Sequence, residues 1–91
     1  MKIPESDYTE INRALLEPGI FYRPDGRVSE DILQKMRGIL DEALNLPEWQ
    51  QEKHYMDAGM GAVLVYLREN YPWLTQEARY AVRHECMMYM K

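Results

Sequence analysis

From Ile32 to Ala43 apolar side chains return every three or four residues: Ile32, Met36, Ile39, Leu40 and Ala43, joined by Leu33 and Leu44. That is the period of an α-helix with one face turned to a core. Ser29 stands where an N-cap is needed, and Glu30 and Asp31 follow it, where orphan amides favour negative charge. Asp31 and Lys35 add an i,i+4 pair of favourable polarity. The spacing predicts a helix over 30–44 that ends near Asn45. Signals of this kind dominate the chain. The expected fold is all-α: a compact bundle of four or five helices, with a short irregular or hairpin segment near 20–28.

Length narrows the choice further. Ninety-one residues, 46% of them apolar, suit one helical domain over 1–91 and leave no room for two independent cores. Cys86 is the only cysteine, so no disulfide can form within one molecule and no set of thiolates can hold a structural metal. Either the core is efficient, or a partner or second copy contributes to it. Seven of the ten aromatic residues are tyrosines, which tolerate a half-wet interface.

The remaining elements follow from local signals. A first helix is expected over about 7–17, with Ser6 or Asp7 as cap, Asp7 and Glu10 at capping-box spacing, and Tyr8, Ile11 and Leu15, joined by Leu16, on one face. Pro18 and Gly19 stop it, and residues 1–5 form an extended arm. In 20–28, Pro24, Asp25 and Gly26 supply turn chemistry, and Phe21 and Tyr22 are expected to pin a loop to the helices. A third helical region runs from Pro47 to Asn70, with Trp49, Met56, Met60, Val63, Leu64 and Leu67 on its inward stripe. Asp57, Gly59 and Gly61 weaken its middle, so a bend or break is expected there: one bent helix, or one over 48–55 and a second capped by Asp57. Tyr71, Pro72, Trp73 and Leu74 form a connector. Thr75 then caps a last helix over 76–90, with Ala78, Val82, Cys86 and Tyr89 on one line.

Charge limits the function classes. The net charge is -4, and its excess lies in residues 1–53, with seven basic and eleven acidic side chains against four of each in 54–91. That balance argues against sequence-independent binding to phosphate backbones or anionic lipid, and leaves room for a basic protein partner. The longest apolar run, Ala62 to Leu67, is too short to span a bilayer. No basic start leads into an apolar segment. With one cysteine, a cytoplasmic location is expected.

No residue pattern demands catalysis, and no cofactor or metal is expected. His54 and His84 lack the His-Glu-x-x-His spacing and have no cysteine pair beside them. Cys86 stands two residues from His84, a step that points side chains apart on a helix, and reads as a small core residue. Glu30–Asp31 and Asp41–Glu42 read as caps or solvated surface. Gly59 and Gly61 have no Lys-Ser or Lys-Thr after them to make a phosphate loop.

The last helix carries more amphipathic surface than one buried face needs. Tyr80, Met87, Met88, Tyr89 and Met90 crowd onto it, and methionine recurs at adaptable surfaces. Arg79 and Arg83 lie one turn apart beside Tyr80, and Arg and Tyr are common interface anchors. The expected protein-binding residues are Trp73, Arg79, Tyr80, Arg83, Met87 and Met88. The expected role is a small regulatory or inhibitory module that binds another protein, or itself, through this C-terminal helical surface. A nucleic-acid-binding transcriptional regulator is the alternative. A short segment holding Gln50, Gln51 and Lys53 is its best reading head, but Glu48 and Glu52 among them repel phosphates. A small enzyme comes third.

Overall fold

Ser29 begins the longest helix as its position predicts: its hydroxyl accepts the Ile32 N–H at 3.3 Å. A computed structural model describes residues 2–51 and 53–90. Four α-helices make up the bundle: α1 (Tyr8–Ala14), α2 (Glu30–Leu44), α3 (Tyr55–Asn70) and α4 (Gln76–Met90). Short 3-10 turns at Glu5–Asp7 and Pro47–Gln50 precede α1 and α3, and no strand occurs among the described residues.

The periodic face of α2 is the centre of the core. Ile32, Leu33, Met36, Ile39, Leu40 and Ala43 are all buried. All but Leu33 meet Ile11 and Ala14 from α1, Val63 and Leu67 from α3, and Ala78, Val82 and Cys86 from α4 in one apolar cluster. No charged or polar side chain is buried with them among the described residues. The start of α3 lies against the end of α4, where the Tyr55 hydroxyl donates to the Met90 carbonyl at 3.2 Å. With the short connector at their other ends, the two helices run antiparallel.

Several expectations change. Asp7 does not cap α1 with its side chain. Its carboxylate instead pairs with Lys35 of α2, which also binds Asp31 at 2.7 Å. An ion pair across the bundle therefore displaces the local capping box. Helix α1 also ends early, at Ala14, and Glu5 belongs to a 3-10 turn rather than to an extended arm, whose first residue, Met1, lies outside the described residues. Residues 20–28 take the irregular form of the two expected, as successive turns, with Tyr22 and Arg23 both donating to the Gly19 carbonyl and Arg27 to that of Pro24. Ile20 and Phe21 anchor this segment to the core, whereas Tyr22 stands in solvent.

A further correction concerns the break before α3. It falls at 51–54, upstream of Asp57, and Glu52 within it lies outside the described residues. His54, at φ 57°, turns the chain into the helix, so Asp57 sits in the first turn and not at the cap. Trp49 is the physical reason. Its ring is buried, its Nε1–H donates to the Ala43 carbonyl of α2 at 2.9 Å, and it lies directly over Gly59. To place the ring there the chain must double back before Tyr55. The weak helix formers then stay inside α3, held by the contact that one of them admits.

Candidate docking surface

Buried Ala78, Val82 and Cys86 fix which side of α4 faces inward. At 100° per residue, Tyr80, Arg83, Met87 and Met88 must then point away from the core. Tyr80 is 42% exposed and Met88 48%. Arg83 and Met87 are half-buried beside them. Thr75 starts the helix by accepting the Ala78 N–H at 3.1 Å.

Tyr80 is held from both sides. Gln76 Nε2 donates to its hydroxyl at 2.8 Å, and the Arg83 guanidinium carbon lies 4.8 Å from its ring centroid, a cation–π contact. The phenol and the guanidinium are therefore preorganised, which lowers the entropy that any contact made to them would cost. A groove of about 190 Å³ runs beside Tyr80 between α3 and α4, lined by Leu64, Arg68, Gln76 and Arg79. Arg79 crosses its end, donating through Nη2 to the Pro72 carbonyl at 2.9 Å, while its Nε–H is buried without a partner.

Of the six sequence-predicted residues, the structure brings five to this helix and its flank. Trp73 belongs elsewhere. It is half-buried, stacked on Tyr8 with ring centroids 4.0 Å apart and planes 3° from parallel, and met edge-on by Tyr71 at 6.0 Å. Its backbone carbonyl accepts from Asn12 Nδ2 at 3.1 Å, and Asn12 Oδ1 accepts the Thr75 N–H at 2.8 Å. Trp73 thus fastens the connector to α1.

The exposed face is also wider than the sequence suggested. Tyr22, 61% exposed, lies by the end of α4, where its hydrogen bond to Glu85 raises the phenol to about 12. Tyr89, expected on the inward line, is 54% exposed. Leu16 adds an aliphatic group near the same flank, beside a cavity of about 240 Å³ shared with Ala81 and His84. Leu15 and Leu16 are adjacent and only Leu15 is buried, so the pair itself was the available signal for an exposed leucine. Nothing in the local sequence marks Tyr22.

Other features offer less for recognition or chemistry. A groove of about 370 Å³ lies between the 47–50 turn and α3, over Leu46, Ala58, Gly61 and Val65. It is lined mainly by small aliphatic groups and by two carboxylates, Glu48 and Glu69. Glu42 accepts hydrogen bonds from the Tyr66 and Tyr71 hydroxyls, both at 2.6 Å. Burial alone would raise this carboxyl, but the two phenol donors are the largest of the influences that bring it below its ordinary value. The cluster joins α2 to α3 and to the connector. Cys86 is fully buried, and burial pushes its thiol up to about 12. His54 and His84 are exposed. Among the described residues no group of three or more His, Cys, Asp or Glu side chains is placed to hold a metal ion, and no helix is long and apolar enough to cross a membrane. Comparison with protein-family models, curated proteins and solved structures gave no match.

Proposed function

We propose that this helical module works by binding another protein, or a second copy of itself, through the outward face of α4, and that it regulates or inhibits what it binds. The observation that carries the reading is the held Tyr80–Arg83 pair beside exposed Met88, on a helix whose buried line already completes the core. Aromatic and arginine anchors flanked by adaptable methionine match the composition of interface centres. Tyr22, Leu16 and Tyr89 extend the apolar area around that flank. We read the chain as non-catalytic. Cys86, its one potential sulfur nucleophile, is buried with its thiol held protonated.

The test is quantitative affinity enrichment from the native cell with wild type, Tyr80→Ala and Arg83→Glu, alongside analytical ultracentrifugation for self-association. Circular dichroism checks that each variant folds. The expected result is a partner, or a dimer, retained by wild type and reduced at least about tenfold by Arg83→Glu, because an anchor residue typically contributes 2 kcal/mol or more, here taken as about 2. Folded variants with unchanged associations would refute the assignment to α4.

A further inference from the structure

We infer that the groove between α3 and α4 recognises a carboxylate-bearing, apolar-centred segment of a partner protein, such as an acidic amphipathic helix. The inference rests on the reading of α4 as a docking face and gives that face its chemistry. Arg68, Arg79 and Arg83 are all the lysines and arginines beyond position 54 among the described residues; Arg68 and Arg79 line this one groove, and Arg83 lies over the Tyr80 ring at its edge. None of the three has a carboxylate within ion-pairing distance among the described residues, a condition they share with Arg23 and Arg37, whereas Arg13, Arg27 and Lys35 are each matched by Asp or Glu. What sets the three apart is that they lie together, so the acidic protein carries an unneutralised cationic strip beside this groove.

Arg79 sharpens the point. Its one described hydrogen bond is to a neutral carbonyl, and its Nε–H is buried and unpaired, so a half-buried positive charge lacks compensation within the chain. An arriving carboxylate supplies it through charge-assisted hydrogen bonds. Leu64 and the Tyr80 ring line the same groove and offer an apolar surface between the cations. Arg79 and Arg83 are about 6 Å apart along the helix axis, the rise of four residues, which matches carboxylates one turn apart on a facing helix. A phosphate backbone fits less well: the net charge of -4 repels a long polyanion, and three arginines make no extended track.

The test uses the full chain, isotope-labelled, and a synthetic helical peptide with glutamates one turn apart on either side of a leucine seam. A twin with glutamine for every glutamate and a random duplex DNA are the comparison probes. The Nε–Hε signals of Arg68, Arg79 and Arg83 are followed by NMR at low and at physiological salt. The acidic peptide is expected to shift these signals, to bind about tenfold or more tightly than its twin, and to weaken as salt rises. Arg68→Gln, at an exposed position, and Arg79→Gln are each expected to cost about tenfold in affinity. Equal binding of the twin overturns the inference, as does DNA binding without peptide binding, or peptide binding that leaves the arginine signals unmoved. Equal binding of both peptides at Tyr80 and Met88 would still leave α4 a docking face. If neither peptide binds, the inference falls, and the Tyr80→Ala and Arg83→Glu enrichment decides the broader reading separately.

Discussion

Alanine at Gly59 and alanine at Gly61 should move stability in opposite directions, although both are interior positions of α3. A Cβ at Gly59 would lie 2.2 Å from Cδ2 and Cε3 of Trp49 and 2.4 Å from Cζ3. Carbon atoms pack at about 3.5–4.0 Å, so the ring would have to retreat by more than about 1 Å. It is not free to do so, because it is buried and its Nε1–H is tied to the Ala43 carbonyl at 2.9 Å. Overpacking costs about 1–3 kcal/mol, and breaking that buried hydrogen bond would add about 1–3 kcal/mol where a group is left unpaired. Better helix propensity returns about 1 kcal/mol, leaving a net destabilisation of about 2 kcal/mol. At Gly61 a Cβ meets nothing within 4 Å, so only the propensity gain of up to about 1 kcal/mol applies. For a domain of this size these figures correspond to a melting temperature lower by about 10 °C for Gly59→Ala and higher by about 5 °C for Gly61→Ala. Thermal and urea unfolding followed by circular dichroism reads both. If Gly59→Ala proves as stable as Gly61→Ala, Trp49 does not sit on α3, and the account of the break at 51–54 fails with it.

Trp73→Ala should destabilise the fold by about 3 kcal/mol in urea unfolding, because it removes the stack on Tyr8; a loss of association with unchanged stability would restore Trp73 to the docking surface. Cys86 should resist a thiol reagent at neutral pH in the native protein and react promptly in denaturant, since burial holds the thiol protonated; fast native labelling would show that α4 opens. Tyr66, hydrogen-bonded to Glu42, is raised to about 12, and Tyr71 is raised by burial and by the same carboxylate. A raised folded-state value means that the native protein holds protons an unfolded chain releases above its ordinary phenol value of 10.0, so stability should fall as pH rises from 10 through 12. Glu42 is lowered, so its contribution should be present above its ordinary value of 4.5 and fade as pH falls below it. Denaturation at stepped pH should show both declines in wild type, and Glu42→Gln should flatten the acid limb; an unchanged acid limb would remove Glu42 as its cause.

What the sequence reveals about this fold is what neighbours along the chain decide. The stripe of α2, the Ser29 and Thr75 caps and the Pro24–Gly26 turn rest on contacts within a few residues, and spacing displays them. Distant contacts decide the rest. Asp7 loses its capping role to Lys35, 28 positions away. The start of α3 is set by the fit of Trp49 over Gly59, which no periodicity encodes. The candidate surface divides in the same manner. Tyr80, Arg83, Met87 and Met88 share a face because they are one turn apart on one helix. Trp73 is drawn away from that face because Tyr8, at the far end of the sequence, stacks on its ring. Tyr22 was misplaced because Ile20 and Phe21 suffice to anchor its segment.

The composition of α4 ties the packing to the proposed role. Its buried line consists of Ala78, Val82 and Cys86, three small side chains, whereas α2 buries isoleucines, leucines and a methionine. Small groups on the inner line let a helix axis approach its neighbours closely, and the area that α4 contributes to the core is correspondingly modest. Its large side chains, Tyr80, Arg83, Met87, Met88 and Tyr89, lie outside that line. A helix selected for stability alone would gain more by the reverse arrangement, since each large apolar side chain moved from water into the core contributes about 1.5–3 kcal/mol. Enlarging the inner line should therefore disturb the bundle, whereas shortening the outer side chains should leave folding intact and alter association. Cys86→Leu set against Met88→Ala puts that division to a direct test: unfolding should respond to the first and partner or self-binding to the second, and the opposite result would make α4 an ordinary core helix.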